Sequence, residues 1–429
     1  MSSVTKIKDN FIDLIKNFPN DWELSKNKYA LLKISNGKNL SDTTDVLSLT
    51  INGIKIKEDL TFGKTSESYI GHQLVKQGDL VFTPRDFDQT PILSDVSKHD
   101  GCISNLYIVD KPNNEFLPEY INYFWHGLKY SFDYFKNFSY GLRFSFNREQ
   151  FDEIPLLKPS LDEQKIMCAY LDINLAYLDS MVEKIQKKID LLIEKRTSLI
   201  NHYVTKGLDP NFEMKDSGDE WIGDIPKHWD LIKLKYLVSY NQETLSEKTD
   251  PDYEIHYIEI GDVDYIDGIN INKKIKFLEA PSRARRVVQP NDVLISTVRT
   301  YLRSIGVVPD VSNVICSTGF CVLRDNSGLI EQKFLSYAVK SEWFVSNVIS
   351  NSYGVSYPAI NSSEIVELKI VLPPKNEQLD IIKFLETETF KEDQNILLEK
   401  RRISLLKEFR QSLISSVVTG KHRVTEDMV

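Results

Sequence analysis

Two stretches of this chain repeat apolar residues at alternating steps of four and three. In the first, Leu171, Leu175, Leu178, Val182, Ile185, Ile189, Leu192, Leu199 and Tyr203 make one seam, broken by Arg196. In the second, Leu385, Ile396, Ile403, Leu406, Leu413 and Val417 hold the same positions, with Thr389, Glu392, Glu399 and Arg410 interrupting. This spacing predicts two long amphipathic helices, over roughly 160–207 and 374–421. Neither contains an internal proline or glycine. Pro155 and Pro159 precede the first and Pro373-Pro374 the second, while Gly207 and Gly420 follow them, as helix starts and stops do. Seams of equal length most simply pack on each other, and ~35 residues make a rod of ~50 Å. The alternative is two separate helices, each flanking its own domain. Elsewhere apolar and polar positions alternate over 46–56 and 253–263, as in strands. Short apolar strands are expected over 78–83 and 292–297, each led by a turn, and helices over 117–137 and 330–350.

The chain is also written twice. The segment Phe18-Pro19-Asn20-Asp21-Trp22-Glu23-Leu24 returns as Ile225-Pro226-Lys227-His228-Trp229-Asp230-Leu231. Gly78-Asp79-Leu80-Val81 returns as Asn291-Asp292-Val293-Leu294, and Ser139-Tyr140-Gly141 as Ser352-Tyr353-Gly354. From Glu163-Gln164 and Glu377-Gln378 the match runs without a gap to Val204-Thr205 and Val418-Thr419. Ten of its last 17 positions are identical, where chance gives about one. The order is therefore variable block, similar block, variable block, similar block. The variable blocks share only framework positions and read as α+β.

Composition narrows the class. The chain has 429 residues, 41 % hydrophobic and 27 % charged, which suits a soluble protein of two or three domains. No apolar run has the length of a membrane span, and the first residues lack a signal-peptide pattern. The four cysteines, Cys102, Cys168, Cys316 and Cys321, form no Cys-x-x-Cys pair, so a reduced, cytoplasmic protein is expected. A net charge of −9 excludes a uniformly basic nucleic-acid coat but leaves room for a local basic face.

Catalytic motifs are missing. There is no Gly-x-Gly loop for a dinucleotide or methyl donor and no Gly-x-Ser-x-Gly elbow. Gly63-Lys64-Thr65 lacks the earlier glycine of a phosphate loop, since position 58 is Glu58, and reads as a turn. His99 and Cys102 have no second pair at metal-site spacing. Pro373-Pro374 follows Leu372, without the Asn of an amino-methyltransferase signature, and Glu367-x-Lys369 lacks a preceding nuclease Pro-Asp. The sequence points to a binding protein before an enzyme.

What it offers instead is arginine. Between 281 and 304 stand Arg283, Arg285, Arg286, Arg299 and Arg303 against one acid, Asp292. The loops after the 78–83 and 292–297 strands each receive an arginine, Arg85 and Arg299. Arginine can hydrogen-bond guanine O6 and N7 with two donors, or clamp a phosphate. Solvated faces also carry arginines, so this is one reading of two. The aromatic run from Tyr120 to Phe146 is expected mainly to fill a core, and Tyr140 and Tyr353, each beside a glycine, are exceptions that could stack on bases.

Taken together, these motifs resemble the DNA specificity subunit of type I restriction–modification systems. The resemblance rests on Ile225-Pro226-Lys227-His228-Trp229, on the Asp79 and Asp292 strands, on Leu372-Pro373-Pro374-Lys375-Asn376-Glu377-Gln378, and on the duplicated helix ends Glu194–Ile200 and Glu408–Ile414 with Val204-Thr205-Lys206-Gly207 and Val418-Thr419-Gly420-Lys421. The first copy departs at Asn20-Asp21 and at Ser160-Leu161-Asp162, which are framework changes. The resemblance implies an α+β chain of two similar target-recognition domains, 1–158 and 208–372. Two long helices, 159–207 and 373–429, would join them as an antiparallel coiled coil with pseudo-twofold symmetry. It implies double-stranded DNA as ligand, each domain reading half of a split target. Two modification subunits and restriction/translocase subunits would be partners, and would hold S-adenosylmethionine, ATP and Mg. This chain would bind no cofactor and no metal, have no catalytic residue and need no membrane. Candidate DNA contacts are Arg85, Gln89, Tyr140, Arg143, Arg283, Arg285, Arg286, Arg299, Arg303, Tyr353 and Tyr357. The competing classes are a fused restriction–methylation enzyme and a coiled-coil scaffold without a DNA role.

Overall fold

The computed structural model describes residues 18–34, 36–58, 68–85, 92–132, 134–135, 145 and 147–429. The Gly63-Lys64-Thr65 turn and the candidates Gln89, Tyr140 and Arg143 lie outside them. The chain divides into two units, one running to Ile185 and resuming at Arg401, the other Gln186–Lys400. Both are α+β.

The predicted helices form as Leu161–Lys206 and Lys375–Val418. Ser160 caps the first. Its backbone N–H donates to Glu163 Oε2 at 3.1 Å while the Glu163 N–H donates to Ser160 Oγ at 3.3 Å, so two otherwise unpaired donors are satisfied reciprocally. Gly207 (φ +76°) and Gly420 (φ +72°) end the two helices in the left-handed conformation. Each unit contains a stretch of both helices, and in each the stretches run antiparallel. In the second unit Lys188 meets Glu399 and Lys195 meets Glu392, both at 2.7 Å; seven residues forward on one helix match seven back on the other. In the first unit Asp179 meets Arg410 at 3.4 Å and Tyr170 packs near His422, beyond the helix end.

The seam's polar interruptions are buried rather than turned to solvent. Arg196, Thr389, Glu392 and Glu399 are all under a tenth exposed. Charge pairing makes this tolerable: Lys188 and Lys195 meet the two glutamates, and Arg196 Nε donates to Asp393 Oδ1 at 2.7 Å. Arg410 stays partly exposed.

The two globular parts share one topology. In the first unit the strands Leu31–Lys33, Ile108–Pro112, Leu80–Phe82 and Ser94–Val96 lie side by side in that order, all antiparallel. In the second, Val238–Tyr240, Phe320–Asp325, Val293–Ser296 and Ile305–Val307 repeat the arrangement. A basal ribbon precedes each helix: Glu23–Lys26 pairs with Pro155–Lys158, and Asp230–Lys233 with Lys369–Leu372. A second sheet in the second unit holds Lys274–Lys276, Glu254–Ile258, Val314–Ser317 and Ala284–Val287, with the middle two parallel; in the first unit Gln73–Val75 pairs with Gly101–Ile103, and Val46 bridges Cys102 in parallel.

Framework residues recur with their bonds. The buried indole of Trp22 donates to Glu163 Oε1 at 3.3 Å and that of Trp229 to Glu377 Oε2 at 2.9 Å. Gln164 donates to the carbonyls of Glu115 and Pro159 and accepts from the Leu117 N–H; Gln378 donates to Leu329 and Pro373 and accepts from Glu331. A buried glutamine amide with all these bonds made is a latch between helix start and globular part.

Some local expectations change. The 46–56 stretch is a hairpin, Leu47–Thr50 with Gly53–Ile56, because Gly53 (φ +88°) reverses the chain. The 253–263 stretch ends as a strand at Ile258 and turns through a short 3-10 segment. The 330–350 helix is two, Gln332–Ala338 and Glu342–Ser350, since the Ser341 hydroxyl bonds back to the Ala338 carbonyl and ends the first. The 117–137 helix stops at Phe132. Its Tyr120, Phe124 and Trp125 are core residues.

Candidate nucleic-acid interface

The site in the second unit starts at a turn. Asn291 takes φ +71°, as Gly78 takes +89° in the first unit, and each delivers a buried aspartate to the next position. Asp292 Oδ2 accepts the Gln289 N–H at 2.7 Å; Asp79 Oδ2 accepts the Lys76 N–H at 2.8 Å. Arg324 then clamps Asp292 with Nε and Nη2 at 2.8 and 2.7 Å. The one acid within the arginine segment is thereby already paired, by an arginine the sequence did not single out. In the first unit, Arg148 similarly holds Asp110 with two donors at 2.9 and 2.7 Å. Burial raises the Asp110 carboxyl, and Arg148 counters it.

The strand after Asp292 ends at Ser296 and the loop beyond is fixed by backbone bonds. Arg299 (φ 50°) and Arg303 (φ 55°) both adopt the left-handed region around a short 3-10 turn, Thr300–Leu302. The Arg299 N–H donates to the Pro358 carbonyl at 2.7 Å and the Ile360 N–H to Thr297 O at 2.9 Å. Thr300 Oγ1 and Ser352 Oγ lie 2.8 Å apart. These bonds fasten a tongue, residues 353–359, to the arginine loop. Tyr353 and Ala359 exchange two backbone hydrogen bonds, 2.8 and 2.9 Å, at its base. Gly354 (φ +114°) allows the reversal.

The candidate arginines separate here. The Arg299 guanidinium lies 4.5 Å from the centre of the Tyr357 ring, a cation–π contact. Arg283, Arg299, Tyr357, Val298, Leu302 and Asp264 line an open cleft of about 670 Å³. Among the described residues neither Arg283 nor Arg299 has a side-chain hydrogen-bond partner, whereas Asp264 Oδ1 accepts the N–H groups of Ile266 and Asp267. Arg303 is committed elsewhere: both its Nη atoms stand 2.6 Å from the Glu342 carboxylate. Arg285 stacks on Phe277 at 4.8 Å and donates to the Ala284 carbonyl, and Arg286 lies in the strand Ala284–Val287. Neither lines the cleft. Tyr353 is exposed beside the tongue's base.

In the first unit Arg85 is exposed and bridges Ser145, at the place where Val298 bridges Ala359 in the second. Arg85 and Arg299 therefore stand one position apart in the two loops, a difference that strand counting did not show. Sequence reasoning also missed Arg148, Arg324 and Glu342, whose charge partners Asp110, Asp292 and Arg303 are at least 32 residues away; Arg148 has a local partner as well, Asp152 at i+4, but nothing local points to the distant ones.

The thiols offer no reactive alternative. All four cysteines are buried and free, and burial pushes Cys168, Cys316 and Cys321 up to about 12. Among the described residues no cluster of His, Cys, Asp and Glu could hold a metal ion, and no helix is long and apolar enough to cross a membrane.

Against known proteins, residues 226–408 match the family model described as "Type I restriction modification DNA specificity domain". Among individual relatives, the chain is 23 % identical to the provisionally named type I restriction enzyme MjaX specificity subunit of Methanocaldococcus jannaschii, covering 96 % of each chain. It is 22 % identical to the type I restriction enzyme MjaVIII specificity subunit of the same organism, over 76 % of this chain and 75 % of that one. A solved chain from work on "complex assembly" and "conformational transition of the type I R-M system" superposes with a TM-score of 0.59 at 17 % identity, over 94 % of this chain and 98 % of that one. The fold is shared with that chain. The resemblance to type I specificity subunits drawn from the sequence is borne out over nearly the whole chain.

Proposed function

We propose that this chain is the DNA-reading specificity subunit of a type I restriction–modification complex, each unit reading one half of a bipartite target. The observation that carries this is the second unit's loop: Arg299, stacked on Tyr357 and without a side-chain hydrogen-bond partner among the described residues, lines a cleft that also holds Arg283. A guanidinium so held has lost little freedom still to pay for in binding, and presents its fork to a guanine edge or a phosphate. The first unit repeats the frame and offers Arg85. The chain itself transfers no methyl group and cuts no DNA. Two modification subunits supply the S-adenosylmethionine chemistry, and restriction/translocase subunits supply ATP- and Mg-dependent cleavage. The complex works on double-stranded DNA in the cytoplasm.

The test is selection of duplexes from a randomised pool by the full chain with its modification subunits, followed by a methylation assay. Enrichment of a split target, salt-dependent binding and adenine methylation only in the partners' presence are expected. Methyl transfer or cutting by the isolated chain refutes the reading in favour of a fused enzyme. Absence of any DNA retention refutes it in favour of a scaffold.

A further inference from the structure

The tongue carries an exposed apolar side chain at its tip. Val355 is fully exposed, at 101 % of its reference area, and Tyr353 and Tyr357 flank it at 72 % and 65 %. A single exposed valine needs no explanation; its setting does. It sits between two exposed aromatics at the end of a loop tied down by four backbone hydrogen bonds, and one of those aromatics, Tyr357, lines the cleft with Arg283 and Arg299, neither of which has a side-chain hydrogen-bond partner among the described residues. The tip is also compact. A side-chain carbon on Gly354 would stand 3.2 Å from the Tyr357 carbonyl oxygen. The tongue is therefore a formed projection.

Arginine and tyrosine can select a base by hydrogen bonds, but valine cannot. Along the major groove the edge of a duplex presents one apolar group, the thymine 5-methyl, and an aliphatic side chain distinguishes T from C only by touching it. The groove, about 12 Å wide, admits a two-stranded projection of this kind. Arg283 and Arg299 in the neighbouring cleft would supply positive charge to hold such a tip against the phosphates or a neighbouring guanine.

We propose that Val355 is a specificity-determining residue of the second unit and reads a thymine in its half-site through the 5-methyl group. The inference rests on the DNA-reading function proposed above, and Tyr357 acts in it as a positioning residue for Arg299.

The experiment uses the full chain with its modification subunits and the duplex it enriches from a randomised pool. Each thymine of the half-site is replaced in turn by deoxyuridine, which removes the methyl and leaves every hydrogen-bonding group. At one position the wild type is expected to bind about 4-fold more weakly, the effect of one buried methyl. Val355→Ser is expected to bind the thymine and deoxyuridine duplexes alike, while Arg299→Ala keeps the thymine preference and loses discrimination elsewhere. Val355 is wholly exposed, so its substitution leaves the fold intact. Indifference of the wild type to every deoxyuridine, or an unchanged thymine preference in Val355→Ser, overturns the methyl contact while leaving the DNA-reading function standing. Failure of the wild type to enrich any sequence overturns both.

Discussion

Arg303 and Glu342 meet through two parallel hydrogen bonds of 2.6 Å across 39 residues of sequence. This ties the arginine loop to the helix Glu342–Ser350, and it separates two arginines that look alike in the sequence. Arg303→Ala is expected to cost about 1 kcal/mol of stability, a partly exposed bidentate pair, and to leave base discrimination unchanged. Arg299→Ala is expected to leave stability unchanged and to lose about 1–3 kcal/mol of discrimination in one half-site. Denaturation curves and binding to duplexes altered one half-site at a time give both readouts. A uniform loss of affinity with a shallower salt slope in Arg299→Ala would make it a phosphate contact.

Gly420 and Gly207 occupy matching helix ends against the equivalent tryptophans, Trp22 and Trp229, and differ in their nearest neighbour. A side-chain carbon at Gly420 would lie 2.3 Å from Pro19 Cδ, and one at Gly207 2.9 Å from the Phe212 ring. Both substitutions to alanine incur the left-handed backbone cost of about 1 kcal/mol. The proline ring cannot turn aside as a phenylalanine can. Gly420→Ala is expected to cost about 2–4 kcal/mol in all, and Gly207→Ala about 1–2 kcal/mol; urea denaturation of the two variants checks the order.

Lys340 gives the second unit a pH signature. Desolvation, with Arg196 nearby, lowers its amine from 10.5 to about 8. Below pH 8 the amine is charged in both folded and unfolded chains, and the folded state bears the burial cost. Between pH 8 and about 10.5 the unfolded chain binds more protons, so this group makes stability rise with pH across that window. Part of the side chain reaches solvent, and Nζ donates to the Tyr265 carbonyl at 3.2 Å, which limits the effect. Lys340→Met is expected to gain about 1–2 kcal/mol at pH 7 and to lose that advantage by pH 10. An equal difference between the two proteins at both pH values would contradict the assignment.

Arg196 is buried, its Nη1 has no hydrogen-bond partner among the described residues, and its charge rests on Asp393. Asp393→Ala leaves that guanidinium without its counter-charge and is expected to cost about 1–3 kcal/mol, while Arg196→Leu, which removes the buried charge itself, is expected to fall within about 1 kcal/mol of wild type. Thermal unfolding of the two variants at equal concentration distinguishes them.

The long helices were legible because their signals are local: a seam spacing, prolines before, glycines after. The duplicated frame was legible because Trp22 and Trp229, or Gln164 and Gln378, recur with their neighbours. The division of labour among the arginines was not. Whether Arg299 or Arg303 is available depends on Glu342 and Tyr357, brought near by the tertiary fold, and no periodicity encodes that. The same holds for Asp292, which looks like the charge opposing the cluster and is clamped by Arg324. The partners of Glu392 and Glu399 were equally hidden, since a heptad shows where a side chain lies and not which lysine will meet it.

The latch glutamines, the indole–carboxylate bonds and the helix-end glycines all lie at the base of each unit, and the 354–357 tip takes no part in them. A change of residue at that tip therefore breaks none of those bonds. On the proposed DNA-reading function, successive variants can alter what the tip touches without breaking the bonds at the base, so the path from one recognised sequence to another need not cross a valley of unstable forms.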